Sequence, residues 1–128
     1  MLRTSTIDWI EGTYPEPCDN AEHLKTFAAR ATNTRAKDWY PMKGFNRYKM
    51  GTQHDSGMKV LSGRADMGTH LIASGSALTA MREAGIASDA LLALLLDQDC
   101  KPTRIDLAID AVIHFAALIV VPDSVARS

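Results

Sequence analysis

The stretch TRIDLAID, at residues 103–110, constrains the fold of this chain more than any other feature. Apolar and polar residues alternate along it, and successive side chains of a β-strand point to opposite faces of a sheet. We therefore expect helices to bury the aliphatic residues of this strand, Ile105, Leu107 and Ile109. Its acidic residues, Asp106 and Asp110, are expected to face the open side of the sheet. Such a strand needs a sheet with one covered and one open face.

The first half of the chain shows a second strand, a helix and a connection. Thr6 to Thr13 carries β-branched and aromatic residues and precedes a segment rich in proline, which is typical of a strand and its end. Asp19 or Asn20 can cap a helix that runs to about Thr32. We expect the polar segment from Asn33 to Lys43 to be a connection.

The second half predicts short strands and then helices. The strands are expected at Phe45 to Met50, Met58 to Ser62 and Thr69 to Ala73. Two helices are expected next, from Ser74 to about Ala84 with Gly85 as the C-cap, and from Asp89 to Leu96 with Ser88 as the N-cap.

This order of elements predicts an α+β fold of ferredoxin-like type, in which an antiparallel sheet carries its helices on one face. The other face is then free to hold a site. We assign residues 1–110 to this domain and leave residues 111–128 unassigned.

Charge is distributed unevenly, although the net charge is only −1. Residues 25–64 hold nine Lys or Arg and two Asp, a local net charge of +7. The remaining chain holds five basic and thirteen acidic residues, a local net charge of −8. A basic segment beside an acidic remainder indicates one surface for phosphates and another where carboxylates gather.

The basic segment also holds five of the eight aromatic residues. Cations that contact phosphates, interleaved with rings that stack on bases, are typical of single-stranded nucleic-acid binding. Our candidate DNA contacts lie on the predicted strands or in the connection: Arg47, Tyr48, Lys49, Lys59 and Lys43. The alternative is a solvated sheet face with ordinary core aromatics.

The acidic face of the last strand suggests a metal site. Carboxylate oxygens suit Mg²⁺ or Mn²⁺, and Asp106 is our first choice of ligand. Asp110 lies four residues further, roughly 13 Å along an extended strand, so the two cannot grip one ion unless the strand bends. Asp8 on the first strand is the best second ligand. The alternative is a solvated face, on which Arg104 pairs with Asp106.

The sequence does not indicate a membrane protein or a secreted protein. The longest apolar run, Val112 to Val121, is interrupted by His114 and is about half of a membrane helix, and the N-terminus lacks the apolar core of a signal peptide. We therefore expect a cytoplasmic protein that has no membrane partner. Cys18 and Cys100 are expected to be free thiols, and the four histidines to have core or surface roles.

Four segments, in order, resemble the replication initiation factors of rolling-circle plasmids and phages. Ile7 to Ile10 is similar to the family's IDWL strand, and Tyr48 to Gly51 with Val60 to Gly63 resembles its hairpins. His70 to Ser76 resembles its step from a short strand into a helix, and Thr103 to Asp110 resembles its TRIDLALD strand, the most specific match.

The resemblance implies a DNA-binding initiator that acts at a single-stranded or cruciform replication origin. Members nick one strand with a divalent metal, Mg²⁺ or Mn²⁺, while a tyrosine becomes linked to the 5′ phosphate. The family's active-site carboxylates map onto Asp106 and Asp110. A homodimer is left open.

The chain departs from the family at the nucleophile. The family's tyrosine lies downstream of the carboxylate strand, whereas Tyr14, Tyr40 and Tyr48 all lie upstream of it. We therefore assign no catalytic residue and expect the front part of an initiator, as an early stop or frameshift would leave. The alternatives are a non-enzymatic nucleic-acid-binding module and a small α+β interaction domain.

Overall fold

The computed structural model describes residues 5–109. They form six strands, three α-helices and a short 3₁₀ helix, in this order: β1 (Ser5–Tyr14), α1 (Ala21–Thr32), the 3₁₀ turn Ala36–Asp38, β2 (Trp39–Lys43), β3 (Met50–His54), β4 (Lys59–Ser62), β5 (Thr69–Ala73), α2 (Gly75–Glu83), α3 (Ser88–Asp97) and β6 (Lys101–Ile109). The predicted end of the domain at residue 110 coincides with the end of the described residues, so this domain boundary stays a prediction.

The strands form one antiparallel sheet in the order β2-β3-β4-β5-β1-β6. All three α-helices pack on one of its faces, with α1 over β2, β3 and β4, and with α2 and α3 over β1. This confirms the predicted α+β architecture. Within residues 5–109, no helix is long and apolar enough to cross a membrane.

The core lies between the sheet and the helices. Alternate strand residues supply one wall, including Ile10, Val60 and Leu71, and Leu24 and Leu91 supply the helical wall; all five are fully or almost fully buried. The side of a strand that carries these residues is called the helix side below. The other side is called the open face.

The helix ends follow local capping chemistry. The Asn20 side chain accepts a hydrogen bond of 2.8 Å from the backbone of His23, which confirms the predicted cap of α1. Ser74 caps α2 in the same way, and Gly85 follows its end with a positive φ of 94°. Ser88, the predicted cap of α3, is instead its first residue, and its hydroxyl accepts a hydrogen bond from Arg82.

Two predictions about the middle of the chain were wrong. The predicted connection from Asn33 to Lys43 ends in β2, an edge strand, where Pro41 is tolerated because an edge position needs fewer ladder donors. The predicted strand from Phe45 to Met50 is mostly a turn, since Asn46 and Arg47 have φ angles of 54° and 71°. A run of positive φ cannot continue a strand.

The orientation predicted for β6 is correct for the described side chains, but the predicted burial is wrong. Leu107 pairs with Ile7 and lines a cavity with residues of the α2–α3 connection, so it lies on the helix side. Yet Ile105 is 40% exposed and Leu107 is 58% exposed. The reason is that β6 is the outermost of the described strands on this side of the sheet, whereas α2 and α3 pack on β1. The side chains of Ile109 and Asp110 lie outside the described part.

Candidate nucleic-acid interface

The open face carries a row of polar side chains where β5, β1 and β6 lie side by side. Thr13 of β1 is paired with His70 of β5, while Glu11 and Trp9 are paired with Arg104 and Asp106 of β6. Their neighbours in sequence, such as Ile10 and Leu71, point into the core. The alternation of the strands therefore gathers the polar groups on the uncovered side.

Glu11 is the centre of this row. One carboxylate oxygen lies 2.9 Å from Nε2 of His70, and the other accepts a hydrogen bond of 2.8 Å from the Trp9 indole. Arg104 lies 3.6 Å from the same carboxylate. Burial raises the pKa of Glu11, but the hydrogen bonds from His70 and Trp9 and the charge of Arg104 outweigh it, so the pKa lies below 4.5. Glu11 is thus an ionised, well-satisfied carboxylate.

His70 is held from both ring nitrogens. Because an ionised carboxylate only accepts hydrogen bonds, Nε2 carries a proton and donates it to Glu11. In the neutral ring, Nδ1 then accepts from the Thr13 hydroxyl at 3.1 Å. The His70 ring stacks on Tyr48 with 5.9 Å between ring centroids and 14° between planes. The imidazole therefore has one fixed orientation.

Asp106 is paired with a cation rather than left free. Arg104 donates a hydrogen bond of 2.8 Å and two of 3.3 Å to its carboxylate, and this pairing holds the pKa of Asp106 below its usual value. The same guanidinium lies 4.1 Å from the Trp9 ring centroid, in cation–π contact.

The three predicted metal ligands are not brought together among the described residues. A bulge in β1 places Trp9, rather than Asp8, opposite Asp106. The Asp8 carboxylate lies near the start of α2, where a Cβ at Gly75 would be 3.7 Å from it. Within residues 5–109 no three His, Cys, Asp or Glu side chains converge on a possible metal site. Asp110 lies outside this range, so the Mg²⁺ or Mn²⁺ site at Asp106, Asp110 and Asp8 stays a prediction.

A tight loop from Gly44 to Lys49 borders the open face. Gly44 is needed there, because a Cβ would lie 2.0 Å from the carbonyl oxygen of Tyr48. The loop buries the Tyr48 ring against His70, and the Arg64 guanidinium lies 5.6 Å from the centre of that ring. Tyr48 therefore anchors the loop and presents Arg47 beside it.

Three cations surround a cavity of about 930 Å³ at this end of the sheet. We call it the basic groove; it is lined by Pro15, Pro17, Arg47, Lys49, Gly63, Arg64, Ala65, Asp66 and Met67. Within the described residues, none of Arg47, Lys49 and Arg64 has an acidic partner within 4.0 Å. Three cations against the single carboxylate of Asp66 leave the lining of the groove with a net positive charge, which attracts an anion.

A second cavity, of about 420 Å³, adjoins the groove. This smaller cavity is lined by Thr13, Asn46, Arg47, Tyr48, Arg64, Met67, His70 and Thr103. It shares Arg47, Arg64 and Met67 with the groove. The cations thus stand between a charged groove and the polar row of the open face.

The five predicted DNA contacts fall in three places. Arg47 and Lys49 line the groove, although on a loop and not on the predicted strand, and Tyr48 is buried behind them. Lys59 precedes the buried Val60 and so lies on the open face of β4. Lys43 pairs with Met50, which packs against the core, so Lys43 lies on the helix side and is not among the residues that line the groove. The role of these residues in DNA binding stays a prediction.

Sequence reasoning missed the centre of the arrangement. It passed over Glu11 and Thr13 and treated His70 as an isolated histidine. A signal was present in β1, where Trp9, Glu11 and Thr13 alternate with Ile10, Gly12 and Tyr14. What the sequence does not contain is the register that places Thr13 opposite His70.

Comparisons with known proteins agree with the fold. Neither a protein-family model nor a curated protein matches the chain. Among solved structures, the chain is similar to the rolling circle replication initiator protein from Geobacillus stearothermophilus, with a TM-score of 0.61 and 18% sequence identity. The match covers 91% of this chain and 49% of that one, so the chain spans about half the length of that initiator. At this identity the likeness establishes a shared fold.

Proposed function

We propose that this chain is a DNA-binding protein of the rolling-circle initiator type, and that single-stranded DNA follows the basic groove onto the open face. The observation that carries the proposal is the set of three unneutralised cations around the groove, Arg47, Lys49 and Arg64. The fold shared with a replication initiator supports it.

Groove and open face supply the two contacts that a single strand needs. The cations of the groove can track phosphates, which provide most of the sequence-independent affinity for DNA. The open face also carries a cation–π pair, in which the exposed Arg104 guanidinium lies over the half-buried Trp9 ring. Flat aromatic and guanidinium surfaces are where unpaired bases stack.

Strand cleavage by this chain is not part of the proposal. Tyr14 points to the helix side, where it packs edge-on against Phe27 at 4.8 Å, and burial raises the pKa of its hydroxyl. Tyr48 is committed to the stack with His70, and Tyr40 lies on β2 at the far edge of the sheet. The described tyrosines are therefore poorly placed to attack a phosphate beside Asp106. We expect no covalent adduct after incubation with an origin oligonucleotide and Mn²⁺, followed by denaturing electrophoresis.

Salt-dependent binding tests the proposal. Fluorescence anisotropy of a labelled single-stranded oligonucleotide should show an affinity that falls steeply between 50 and 200 mM salt. The double variant Arg47→Ala/Lys49→Ala should weaken binding and reduce the salt slope by up to about two, one for each lost phosphate contact. Arg30→Ala/Lys37→Ala, which removes two exposed charges outside the groove, is the matched control.

Two outcomes would contradict the proposal. One is an affinity that does not change between low and high salt. The other is an equal loss of affinity in the Arg30→Ala/Lys37→Ala control, since that would mean that net charge and not the groove governs binding. Parallel titrations with duplex DNA and with RNA of the same sequence identify the preferred nucleic acid.

A further inference from the structure

We infer that the smaller cavity receives one base of the bound DNA strand, and that Asn46 and Thr103 read its edge. The inference rests on the proposed function, because a base reaches this cavity only when its strand occupies the basic groove. It adds a specificity site to what is otherwise a sequence-independent electrostatic surface.

The shared residues of the two cavities fix where a phosphate would lie. Arg47 and Arg64 line both, and the guanidinium fork binds phosphate oxygens in a bidentate manner. A phosphate held between these residues leaves its attached nucleoside at the mouth of the smaller cavity. At 420 Å³ that cavity falls in the range of roughly 300–1,000 Å³ of pockets that hold small organic ligands.

The walls of the cavity do not need to rearrange. Glu11 and Thr13 hold the His70 ring from both nitrogens, and the ring stacks on the buried Tyr48. All of these contacts are made between side chains of the protein itself. A base that enters therefore meets a fixed surface, which reduces the entropic cost of binding.

Two lining groups remain available for hydrogen bonds. Within residues 5–109, neither the Asn46 amide nor the Thr103 hydroxyl has a hydrogen-bond partner, whereas the Thr13 hydroxyl is engaged with His70. Asn46 is in the left-handed region at a φ of 54°, which asparagine tolerates better than most residues. Its amide offers a donor beside an acceptor, the pairing that matches an adenine edge. Adenine is therefore the expected base.

Short oligonucleotides that differ only in their bases test the inference. We compare chains of one length made of deoxyadenosine, deoxycytidine or thymidine with an abasic chain that has the same number of phosphates. The wild-type protein should bind the deoxyadenosine chain about tenfold tighter than the abasic chain. Asn46→Gly and Thr103→Val should each reduce the preference for adenine over cytosine by about fivefold or more. The salt dependence should not change, because no cation is removed.

The variants are chosen to keep the fold. Glycine accepts the positive φ at position 46, and valine favours a strand at position 103. Asn33→Gly is the matched control, since Asn33 also has a left-handed backbone, with a φ of 56°, but caps the end of α1 on the helix side. Thermal unfolding verifies that all three variants are folded.

Each outcome decides a separate claim. If the wild-type protein binds all four chains equally with a steep salt dependence, or if both variants keep the base preference, the reading cavity is refuted and the groove stands. Preference for another base that both variants abolish refutes adenine alone. If no chain binds in a salt-dependent manner, the proposed function itself fails.

Discussion

The two faces of the sheet are built from the same strands, yet they differ in almost every physical property. On β5, Leu71 is fully buried against the helices, while the next residue, Ile72, is half-buried on the open face. The helix side is packed with aliphatic and aromatic side chains, whereas the open face holds hydrogen-bonded charges beside a few buried side chains such as Leu61 and Tyr48. One face thus carries the stability of the fold, and the other is available for recognition.

The largest effect should come from a substitution on the helix side. Leu71→Ala removes a fully buried side chain and should lower the free energy of unfolding by about 3 kcal/mol. Ile72→Ala, one residue along the same strand, should cost about 1 kcal/mol, since that side chain is less completely buried. Denaturant unfolding measures both. Equal losses would mean that the open face is as tightly packed as the core.

A substitution in the basic groove should do the opposite and weaken DNA binding with little effect on stability. Arg64→Ala removes a cation that lines both cavities and should weaken binding to single-stranded DNA about tenfold at low salt, or about 1.4 kcal/mol. Its stability should stay within about 0.5 kcal/mol of the wild type, because it is a surface change. Anisotropy and denaturant unfolding on one preparation give both numbers. If Arg64→Ala lost stability but kept its DNA affinity, Arg64 would stabilise the fold and would not contact DNA, which contradicts the prediction.

Lowering the pH should reduce the stability of the protein, because it protonates the Glu11 carboxylate on the open face. Its pKa lies below 4.5 in the folded protein, so its stabilising contribution is complete above that value and is lost as the pH falls through the folded pKa. At pH 7, Glu11→Gln should cost about 1 kcal/mol, because hydrogen bonds from His70 and Trp9 lose their charged acceptor. The difference between wild type and variant should shrink by pH 3. A constant difference from pH 7 to pH 3 would contradict this role.

The smallest effect concerns a polar atom on the helix side. The Tyr14 hydroxyl is buried beside the Cys100 thiol, a weak acceptor, and has no other hydrogen-bond partner among the described residues. Tyr14→Phe removes this group and keeps the edge-on contact with Phe27, so stability should change by less than about 0.5 kcal/mol or rise slightly. Differential scanning calorimetry can resolve such a change. A loss above about 1 kcal/mol would show that the hydroxyl has a partner that stabilises the fold.

The helix side was largely predictable from the sequence. Strand and helix periodicity located β1, α1, β4, β5, α2, α3 and β6, because burial against a core imposes a pattern that is visible in the chain. The edge strand β2 was missed, since its exposed residues and Pro41 carry no such pattern. β3 was missed as well, because the strand predicted at Phe45 to Met50 ends where Met50–His54 begins. The turn at Asn46 and Arg47 was predicted as a strand because aromatic residues, which are common in strands, flank it on both sides.

The open face was predictable only in part. Asp106 and the basic segment stand out in the sequence, but the contact between Glu11 and His70 joins residues 59 positions apart through the pairing of β1 with β5. Cross-strand register depends on turns and packing along the whole sheet, and one sequence does not fix it. Local patterns therefore identified the charges, and the topology decided which of them meet.

The surroundings of the two tryptophans give the protein a built-in optical reporter. Trp39 is completely buried and donates a hydrogen bond to Thr34, whereas Trp9 lies on the open face beneath the Arg104 guanidinium. Their emission should therefore differ, with Trp39 at shorter wavelength and little affected by solutes. In a Trp39→Phe protein the remaining fluorescence comes from Trp9 alone. Occupancy of the open face then becomes visible in unlabelled protein, through the quenching of a single indole.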